Sequence, residues 1–198
     1  MVKKEIRRAY IEKRNELSTS GINDLVAKIV DNFRSINLQG AQVLLSYHPI
    51  IERKEFDPAS CADLLLLENS NLIIAWPKID DDSITMNAVK VSNQSSLIPN
   101  RYNIPEPVNG ENIDPLMIDV VFVPLLAFDT KGYRVGYGKG FYDRFLLRCS
   151  EDVVKIGFSY FEAIFSKILA TFPTINTYSL CLRSRFHAPT ESCLASGE

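Results

Sequence analysis

The sequence has few residues of the types that hold metals or form disulfides. Four cysteines and two histidines occur among 198 residues, and no two cysteines form a Cys-x-x-Cys pair. A zinc site and a disulfide framework are therefore not expected. No apolar run is long enough to span a bilayer, and the charged start MVKKEIRRAYIEKRNEL lacks the apolar centre of a signal peptide. We expect a cytoplasmic protein with reduced thiols and no membrane contact.

A strong charge of one sign is also missing. The chain has 22 Lys and Arg against 24 Asp and Glu, for a formal net charge of -2. This balance gives no general attraction to nucleic acid, so any anion site must be a local arrangement of basic groups. Length and composition, with 46% hydrophobic residues, predict a single globular domain over residues 1–198.

The spacing of apolar residues predicts alternating helices and strands. Helices are expected at residues 2–17, 20–36, 59–68, from about 141, and 161–169. Strands are expected at 41–47, 71–78 with a stop at Pro77, 120–123 and 153–160, and short strands joined by loops at 79–114. Continuous apolar strands that alternate with helices are typical of a parallel sheet covered on both faces. We therefore predict an α/β protein with three layers, αβα, and a mostly parallel sheet.

A glycine-rich stretch, RVGYGKGFYDRF at residues 134–145, follows the strand predicted at 120–123. Ligands bind outside the carboxyl ends of parallel strands, so a binding loop is expected here. The alternating glycines, which allow positive φ and exposed amides, are Gly136, Gly138 and Gly140. Their spacing matches neither the Walker motif nor the dinucleotide motif. Two interpretations stay open: a phosphate loop charged by Arg134 and Lys139, or a strand-to-helix turn with solvated basic groups.

Other charged positions also have both a functional and a structural interpretation. Asp143 can bind a divalent cation carried by phosphates, or can be favoured simply by the dipole of a first helical turn. Glu55 precedes a predicted helix, and with Asp57 it can either bind a nitrogen-rich heterocycle or cap the helix. His48 is interpreted as structural. The basic residues of the first helix can reach a polyphosphate or remain solvated; they are Lys3, Lys4, Arg7 and Arg8.

Five segments, in order and spacing up to about Ser159, resemble the 5-formyltetrahydrofolate cyclo-ligase family, also called 5,10-methenyltetrahydrofolate synthetase. They are KKEIR, EFDP, WPK, YNIPEP and DVVFVPLLAFDTKGYRVGYGKGFYDRFL. The resemblance implies a fold like that of the ribose-5-phosphate isomerase and CoA-transferase group. It also implies that ATP and Mg2+ serve to convert 5-formyltetrahydrofolate to 5,10-methenyltetrahydrofolate, with release of ADP and phosphate.

The resemblance further implies roles for individual residues. Arg134 and Lys139 would act in catalysis by neutralising charge, Asp143 would bind magnesium, and Glu55 with Tyr142 would bind the folate. Tyr102 would lie near the folate site. The ATP contacts would be Lys3, Lys4, Arg7, Arg134, Val135, Gly136, Tyr137, Gly138, Lys139, Gly140, Phe141 and Tyr142.

The resemblance fails near the end of the chain, where Thr177 or Ser179 stands at the position of a family aspartate. We expect residues 180–198 to form a divergent and disordered tail. A folate- or nucleotide-binding homologue with impaired turnover is therefore an alternative, and a sugar-phosphate isomerase or CoA-transferase relative is another, because fold does not fix function. The expected partner is the small-molecule substrate, and the expected state is a monomer or a weak homodimer.

Overall fold

A computed structural model describes residues 3–80, 84–91, 96–164 and 179–182. In this part of the chain the helices are α1 (Lys3–Asn15), α2 (Thr19–Phe33), α3 (Ala59–Glu68) and α4 (Phe141–Leu146), with 3-10 turns at Ile51–Arg53 and Pro115–Met117. The strands are β1 (Val43–Leu45), β2 (Ile73–Ile79), β3 (Met86–Lys90), β4 (Leu97–Pro99), β5 (Pro105–Pro107), β6 (Glu111–Ile113), β7 (Val120–Val123), β8 (Ala127–Phe128), β9 (Arg134–Val135), β10 (Val154–Phe158) and β11 (Ser179–Leu182).

Helix α1 lies inside its predicted limits, whereas α2 begins one residue before its predicted start at 20 and ends three residues before its predicted end at 36. The Ser18 hydroxyl accepts a hydrogen bond from the Gly21 amide and caps α2, as small hydroxyl residues do at helix starts. After Phe33 the chain continues in tight turns, in which the Ile36 amide donates to the Phe33 carbonyl. Apolar spacing alone does not distinguish such turns from a continued helix. The predicted limits of α3, in contrast, are confirmed.

The described residues form a seven-stranded sheet with the order β11-β10-β7-β1-β2-β3-β6. All neighbouring strands from β11 to β2 pair in parallel. The pairs β2–β3 and β3–β6 are antiparallel. This arrangement confirms an α/β protein with a mostly parallel sheet. The short strands expected at 79–114 are also confirmed, as β3 to β6.

The predicted stop at Pro77 is wrong, because β2 continues through it to Ile79 and pairs Pro77 with Ala88 of β3. Pro77 is tolerated because of the edge of β2 on which its nitrogen lies. β1 pairs only with Ile73–Ala75, so the later part of β2 has no β1 neighbour. The Ile79 amide, on the same edge as the Pro77 nitrogen, donates to the side chain of Glu106. A proline at this edge removes no ladder hydrogen bond.

Helices cover both faces of the sheet. On one face, Leu44 and Phe122 pack in a cluster with residues of α2 and α3, including Phe33. On the other face, Val43 and Leu45 pack with Phe145 and Leu146 of α4. Alternate residues of β1 thus point into two separate apolar layers, as expected for a strand buried on both sides. No described helix has the length and apolar character needed to cross a membrane.

Part of the predicted C-terminal region lies outside the described residues. The helix expected at 161–169 is not helical over its described start, where the Ile164 amide donates to the Phe128 carbonyl. Residues 165–169, Thr177 and 183–198 of the expected tail lie outside the described residues. Residues 180–182 belong to β11, which pairs in parallel with β10. The tail predicted from 180 therefore begins with a paired strand.

Candidate functional site

A cavity of about 620 Å³ lies at the carboxyl ends of β1, β2 and β7. Tyr47 and His48 follow β1, Ile79 ends β2 and Pro124 follows β7, and all four line the cavity. Its other walls come from α1, the β4–β5 hairpin region, the loop after β9 and the start of α4. The binding site predicted from strand order is therefore present as a concave space, as expected for a ligand site.

The glycine loop forms one wall of this cavity. Gly138 has φ +91° and Gly140 has φ +71°, a left-handed conformation that side-chain-bearing residues rarely adopt. Gly136 is not among the positive-φ residues, so the expectation of positive φ is wrong there. At Gly138 a Cβ atom would meet the Arg7 guanidinium carbon at 3.0 Å. This position therefore needs glycine both for its backbone angle and for the approach of Arg7.

Helix α1 brings basic side chains to the loop. Ile6 is 1% exposed and packs with Ala127 and Val135, which anchors the helix beside β8 and β9. The Arg7 Nε then donates to the Gly136 carbonyl at 2.8 Å. Lys3 and Arg7 line the cavity, whereas Lys4 is exposed and lies outside the lining set. The structure thus brings together two of the three α1 residues predicted to bind ATP.

The charges near the loop are mostly positive. Burial lowers the pKa of Lys3, Asp143 raises it, and Arg7 and Arg134 lower it further. These influences place three cations and one carboxylate in a small region. Burial disfavours the charged form of the Lys3 amine, and the neighbouring cations disfavour it further. An anion bound in this region would be attracted to these cations and would offset the repulsion among them. The site is therefore suited to a group that carries several negative charges.

Asp143 forms an ion pair with Arg134, whose Nη2 lies 2.7 Å from Oδ1. The Arg134 side chain is 8% exposed and that of Asp143 is 51% exposed, so the pair extends from the interior to the cavity wall. No three His, Cys, Asp or Glu side chains cluster as a metal site among the described residues. Asp143 can thus contribute one carboxylate to a cation that arrives with phosphates, which is a common arrangement for magnesium.

Aromatic and basic side chains contact one another in the lining of the cavity. The Tyr102 ring lies 5.0 Å from the Lys139 Nζ and 4.9 Å from the Arg101 guanidinium. The same ring meets Phe141 edge to face, with centroids 5.8 Å apart. A flat aromatic ligand and an anion could both find contacts here. Phe141 lines this wall, while Phe145 and Leu146 pack in the core.

Glu55 lies in a different wall of the cavity and is 9% exposed. The 3-10 turn Ile51–Arg53 ends at Lys54 in a left-handed conformation, which returns the chain toward the cavity. The carboxylate of Glu55 accepts hydrogen bonds from the Ile50 amide and the Tyr137 hydroxyl, both at 2.8 Å. The pKa of Glu55 is raised overall, because burial outweighs the lowering by these two donors and by the nearby Arg14 and Arg53. Glu55 is therefore a buried carboxylate held at the cavity surface.

Two residues at or beside the cavity were not selected as site residues from the sequence: Arg14, and His48, which was interpreted as structural. Arg14 is nevertheless only 3% exposed, and its Nη1 donates to the Tyr137 hydroxyl at 3.0 Å. His48 stacks on Trp76, with ring centroids 4.0 Å apart and planes at 4°. The signal for Arg14 was its place among Ile6 and Tyr10 on the apolar face of α1. A basic residue within an apolar stripe needs an internal partner.

The predicted folate residue Tyr142 also faces this region. It lines the cavity, and its hydroxyl is buried without a hydrogen-bond partner among the described residues. Burial and the negative charge of Glu55 both raise its pKa, so the hydroxyl stays neutral. A buried hydroxyl at a cavity wall is expected to bond to a ligand or to water.

Comparison with known proteins gives consistent results. The model of the 5-formyltetrahydrofolate cyclo-ligase family matches residues 1–167. A 5-formyltetrahydrofolate cyclo-ligase from Mycoplasma genitalium is 48% identical over 52 residues, which cover 26% of this chain and 32% of the relative. One from Haemophilus influenzae is 44% identical over 64 residues, 31% of this chain and 34% of the relative. The aligned segments thus span about a third of the length of these curated relatives.

Solved structures resemble a larger part of the chain. The NMR structure of the Aquifex aeolicus 5,10-methenyltetrahydrofolate synthetase has a TM-score of 0.76 and 28% sequence identity, and covers 94% of this chain and 91% of its own. The Mycoplasma pneumoniae 5,10-methenyltetrahydrofolate synthetase has a TM-score of 0.63 at 24% identity, over 81% of this chain and 86% of its own. This second likeness concerns the fold alone.

Proposed function

Because the chain belongs to the 5-formyltetrahydrofolate cyclo-ligase family, we propose that it converts 5-formyltetrahydrofolate to 5,10-methenyltetrahydrofolate with ATP. ADP and phosphate are the other products. The proposal includes a fold of the ribose-5-phosphate isomerase and CoA-transferase group. A cytoplasmic location and a monomeric or weakly dimeric state remain predictions from the sequence.

One observation carries this proposal: a single cavity has a cationic wall and a separate buried carboxylate. The cationic wall contains Lys3, Arg7, Arg134 and Lys139, and Glu55 lies in the same cavity. A polyphosphate suits the first wall, since positive side chains and exposed loop amides attract phosphate oxygens. A folate ring system has N–H donors that suit a carboxylate acceptor. The cavity therefore has matching chemistry for both substrates of the reaction.

The reaction needs activation of a poor leaving group. In the proposed path the formyl oxygen attacks the γ-phosphorus of ATP, the bond to the β-phosphate oxygen breaks, and ADP leaves. N10 then bonds to the formyl carbon and loses its proton. The carbon–oxygen bond breaks last, and inorganic phosphate leaves with the former formyl oxygen. Phosphoryl transfer of this kind depends on alignment and charge neutralisation rather than on a covalent nucleophile.

The basic residues would serve this step in different ways. Arg134 is held by Asp143 and by burial, so its guanidinium is fixed in direction before ATP binds. Lys139 is exposed and lies over the Tyr102 ring, so it can move to the transferred phosphoryl group. Fixed and mobile cations together would neutralise the charge that develops on the phosphate oxygens.

The magnesium ion implied by the family would be held by Asp143 together with phosphate oxygens of ATP. When bound, it would supply further positive charge at the phosphates. Arg134 contacts one of the two Asp143 oxygens, and the carboxylate is half exposed, so these residues are compatible with such a cation. The proposed contribution of Asp143 is one ligand, and the ion would arrive with the nucleotide.

The test is turnover by the intact protein with 5-formyltetrahydrofolate, ATP and magnesium, measured by the near-ultraviolet absorbance of the methenyl product. Lys139→Ala should lower kcat/KM by about a hundredfold or more, because one preorganised charge contact in a transition state is typically worth this much. Lys131→Ala is the matched control. It removes another exposed lysine from the segment before the loop, at a position outside the cavity lining, and should leave kcat/KM unchanged.

Two results would overturn the proposal. Calorimetric binding of 5-formyltetrahydrofolate without any ATP-dependent turnover would favour a binding homologue instead. Equal losses in Lys139→Ala and Lys131→Ala would remove the glycine loop from the proposed mechanism.

A further inference from the structure

Arg14 is a buried cation whose contacts lead into the cavity. It is 3% exposed at the end of α1. Its Nη2 donates to the Leu125 carbonyl at 2.7 Å, and its Nη1 donates to the Tyr137 hydroxyl at 3.0 Å. Among the described residues no carboxylate lies within ion-pair distance of its guanidinium. A buried charge without a direct counter-ion is costly. The carboxylate that compensates the charge of Arg14 must therefore be connected to it through another side chain.

Tyr137 is that connecting group. Its hydroxyl accepts from Arg14 and lies 2.8 Å from Oε1 of Glu55. The Arg53 guanidinium lies 4.8 Å from the centre of the same ring, so a second cation borders the tyrosine. The three side chains Arg14, Tyr137 and Glu55 form a hydrogen-bonded chain from the buried end of α1 to the cavity wall.

The direction of the protons in this chain favours an ionised Glu55. Arg14 can only donate, so the Tyr137 oxygen accepts and its own proton is free to go to Oε1 of Glu55. Oε2 of Glu55 accepts from the Ile50 amide. Each oxygen of the Glu55 carboxylate therefore accepts a hydrogen bond, one from the Tyr137 hydroxyl and one from the Ile50 amide. A protonated Glu55 would have to donate its proton and would disturb this pattern.

We propose that Arg14 is a positioning residue for the folate site, which through the Tyr137 hydroxyl holds Glu55 as a carboxylate of fixed orientation. Arg14 itself does not line the cavity, so it would act without touching the substrate. The inference rests on the proposed function, in which Glu55 binds the folate ring system. It adds a residue from outside the cavity to the machinery of that site.

Glu55 also faces charged and titratable groups from several elements. Its pKa is raised overall by burial, and the Ile50 amide, the Tyr137 hydroxyl, Arg14 and Arg53, in that order, oppose this increase. Besides Tyr137, the phenolic groups that Glu55 influences lie after β1, on α4 and after β10; they are Tyr47, Tyr142 and Tyr160. These phenols have raised pKa values and stay neutral, so the two arginines are the cations that favour the carboxylate. Loss of Arg14 should therefore shift Glu55 toward its protonated form.

The experiment compares Arg14→Gln, Tyr137→Phe, the double variant and the conservative Arg14→Lys. The Glu55 carboxyl is titrated by 13C NMR in the full chain, with its signal assigned by Glu55→Gln. Binding of 5-formyltetrahydrofolate and of ATP is measured by calorimetry between pH 5 and 8. Arg14→Gln should raise the midpoint of the Glu55 titration by about one pH unit and weaken folate binding about tenfold near that midpoint. ATP affinity should not change, and Arg14→Lys should recover part of the effect.

Tyr137→Phe should give a similar shift, and the double variant should not add to it, because both changes break the same chain. The inference is wrong if the Glu55 titration is unchanged, or if Arg14→Gln weakens folate and ATP binding equally at every pH, as a general structural support would. Should Arg14→Gln fail to fold, Tyr137→Phe still decides, since it keeps the ring beside Arg53. The NMR titration needs no turnover, so an inactive wild-type protein would refute the proposed function and leave this test intact.

Discussion

His48 shows how a single side chain can sense pH without taking part in the chemistry. Its ring stacks on Trp76, and its Nε2 is buried with no hydrogen-bond partner among the described residues. Burial lowers its pKa below the ordinary value of 6.5, while Asp57 opposes this effect. A proton added to this nitrogen would have no acceptor in the described structure. The folded protein therefore favours the neutral imidazole.

From this we predict an acid-sensitive part of the stability. Since the folded pKa is depressed, the unfolded chain binds more protons below pH 6.5, and the contribution of His48 is lost as pH falls through that value. His48→Gln should remove this loss. Urea unfolding at pH 8 and pH 5.5, followed by the fluorescence of the single tryptophan, should show a smaller drop for the variant. Equal drops in both proteins would contradict the prediction.

At the scale of elements, the loop after β9 depends on backbone conformation as much as on charge. Gly138→Ala places a Cβ atom at positive φ and 3.0 Å from the Arg7 guanidinium. We predict a loss of about 1–2 kcal/mol of unfolding free energy from the backbone angle. ATP affinity should also fall, because Arg7 must move away from the Gly136 carbonyl. Urea titration and ATP calorimetry measure the two effects.

Gly40 offers a matched control for this loop variant. It has φ +89° with nothing within 4 Å of an added Cβ atom, and it lies outside the cavity lining. Gly40→Ala should lower the stability by a similar amount and leave ATP binding unchanged. If Gly40→Ala weakened ATP binding equally, the effect at Gly138 would be one of general stability.

The elements also show what a sequence can and cannot predict. Continuous apolar runs identified β1, β7 and β10, because strands buried on both faces need them. The glycine loop was expected to follow β7, but the hairpin of β8 and β9, which was not predicted, lies between β7 and the loop. The path through Pro77 could not be predicted, because it depends on β1 stopping at Leu45 and leaving one edge of β2 without a neighbour. The end of α2 could not be predicted exactly, because the tight turns after Phe33 continue the apolar spacing of the helix.

The residues that line or support the cavity also differ in how far the sequence alone could identify them. Glu55, Arg134 and Lys139 belong to recognisable segments, so the sequence was enough to select them. Arg14 was missed because its partners Leu125 and Tyr137 are 111 and 123 residues away. No local pattern reports such a contact. The ion pair of Arg134 with Asp143 is also a product of the fold, since β9 and α4 must first be placed side by side.

For the whole molecule, the cavity joins elements that are far apart in the chain, from Lys3 in α1 to Asp143 in α4, so ligand binding should stabilise the fold as a whole. At an ATP concentration about 100 times the dissociation constant, the gain is about 2.7 kcal/mol. For a domain of this size we predict a rise in Tm of about 5–10 °C. Differential scanning fluorimetry with ATP and magnesium tests this. Adenosine, which lacks the phosphates, is the control, and an equal rise with adenosine would contradict a phosphate site.

Helix α1 must find partners that are made much later. Its Arg14 is 123 residues before Tyr137, so at usual rates of synthesis this partner is made roughly 6–25 seconds after the helix. During that time few apolar groups need protection, because Ile6 and Arg14 are the buried side chains of α1. A largely polar helix of this kind can remain in water until its later partners have been synthesised. We expect α1, the first of the described helices to be synthesised, to complete its contacts at the site only after Tyr137 has been made, so that the order of synthesis and the order of assembly differ.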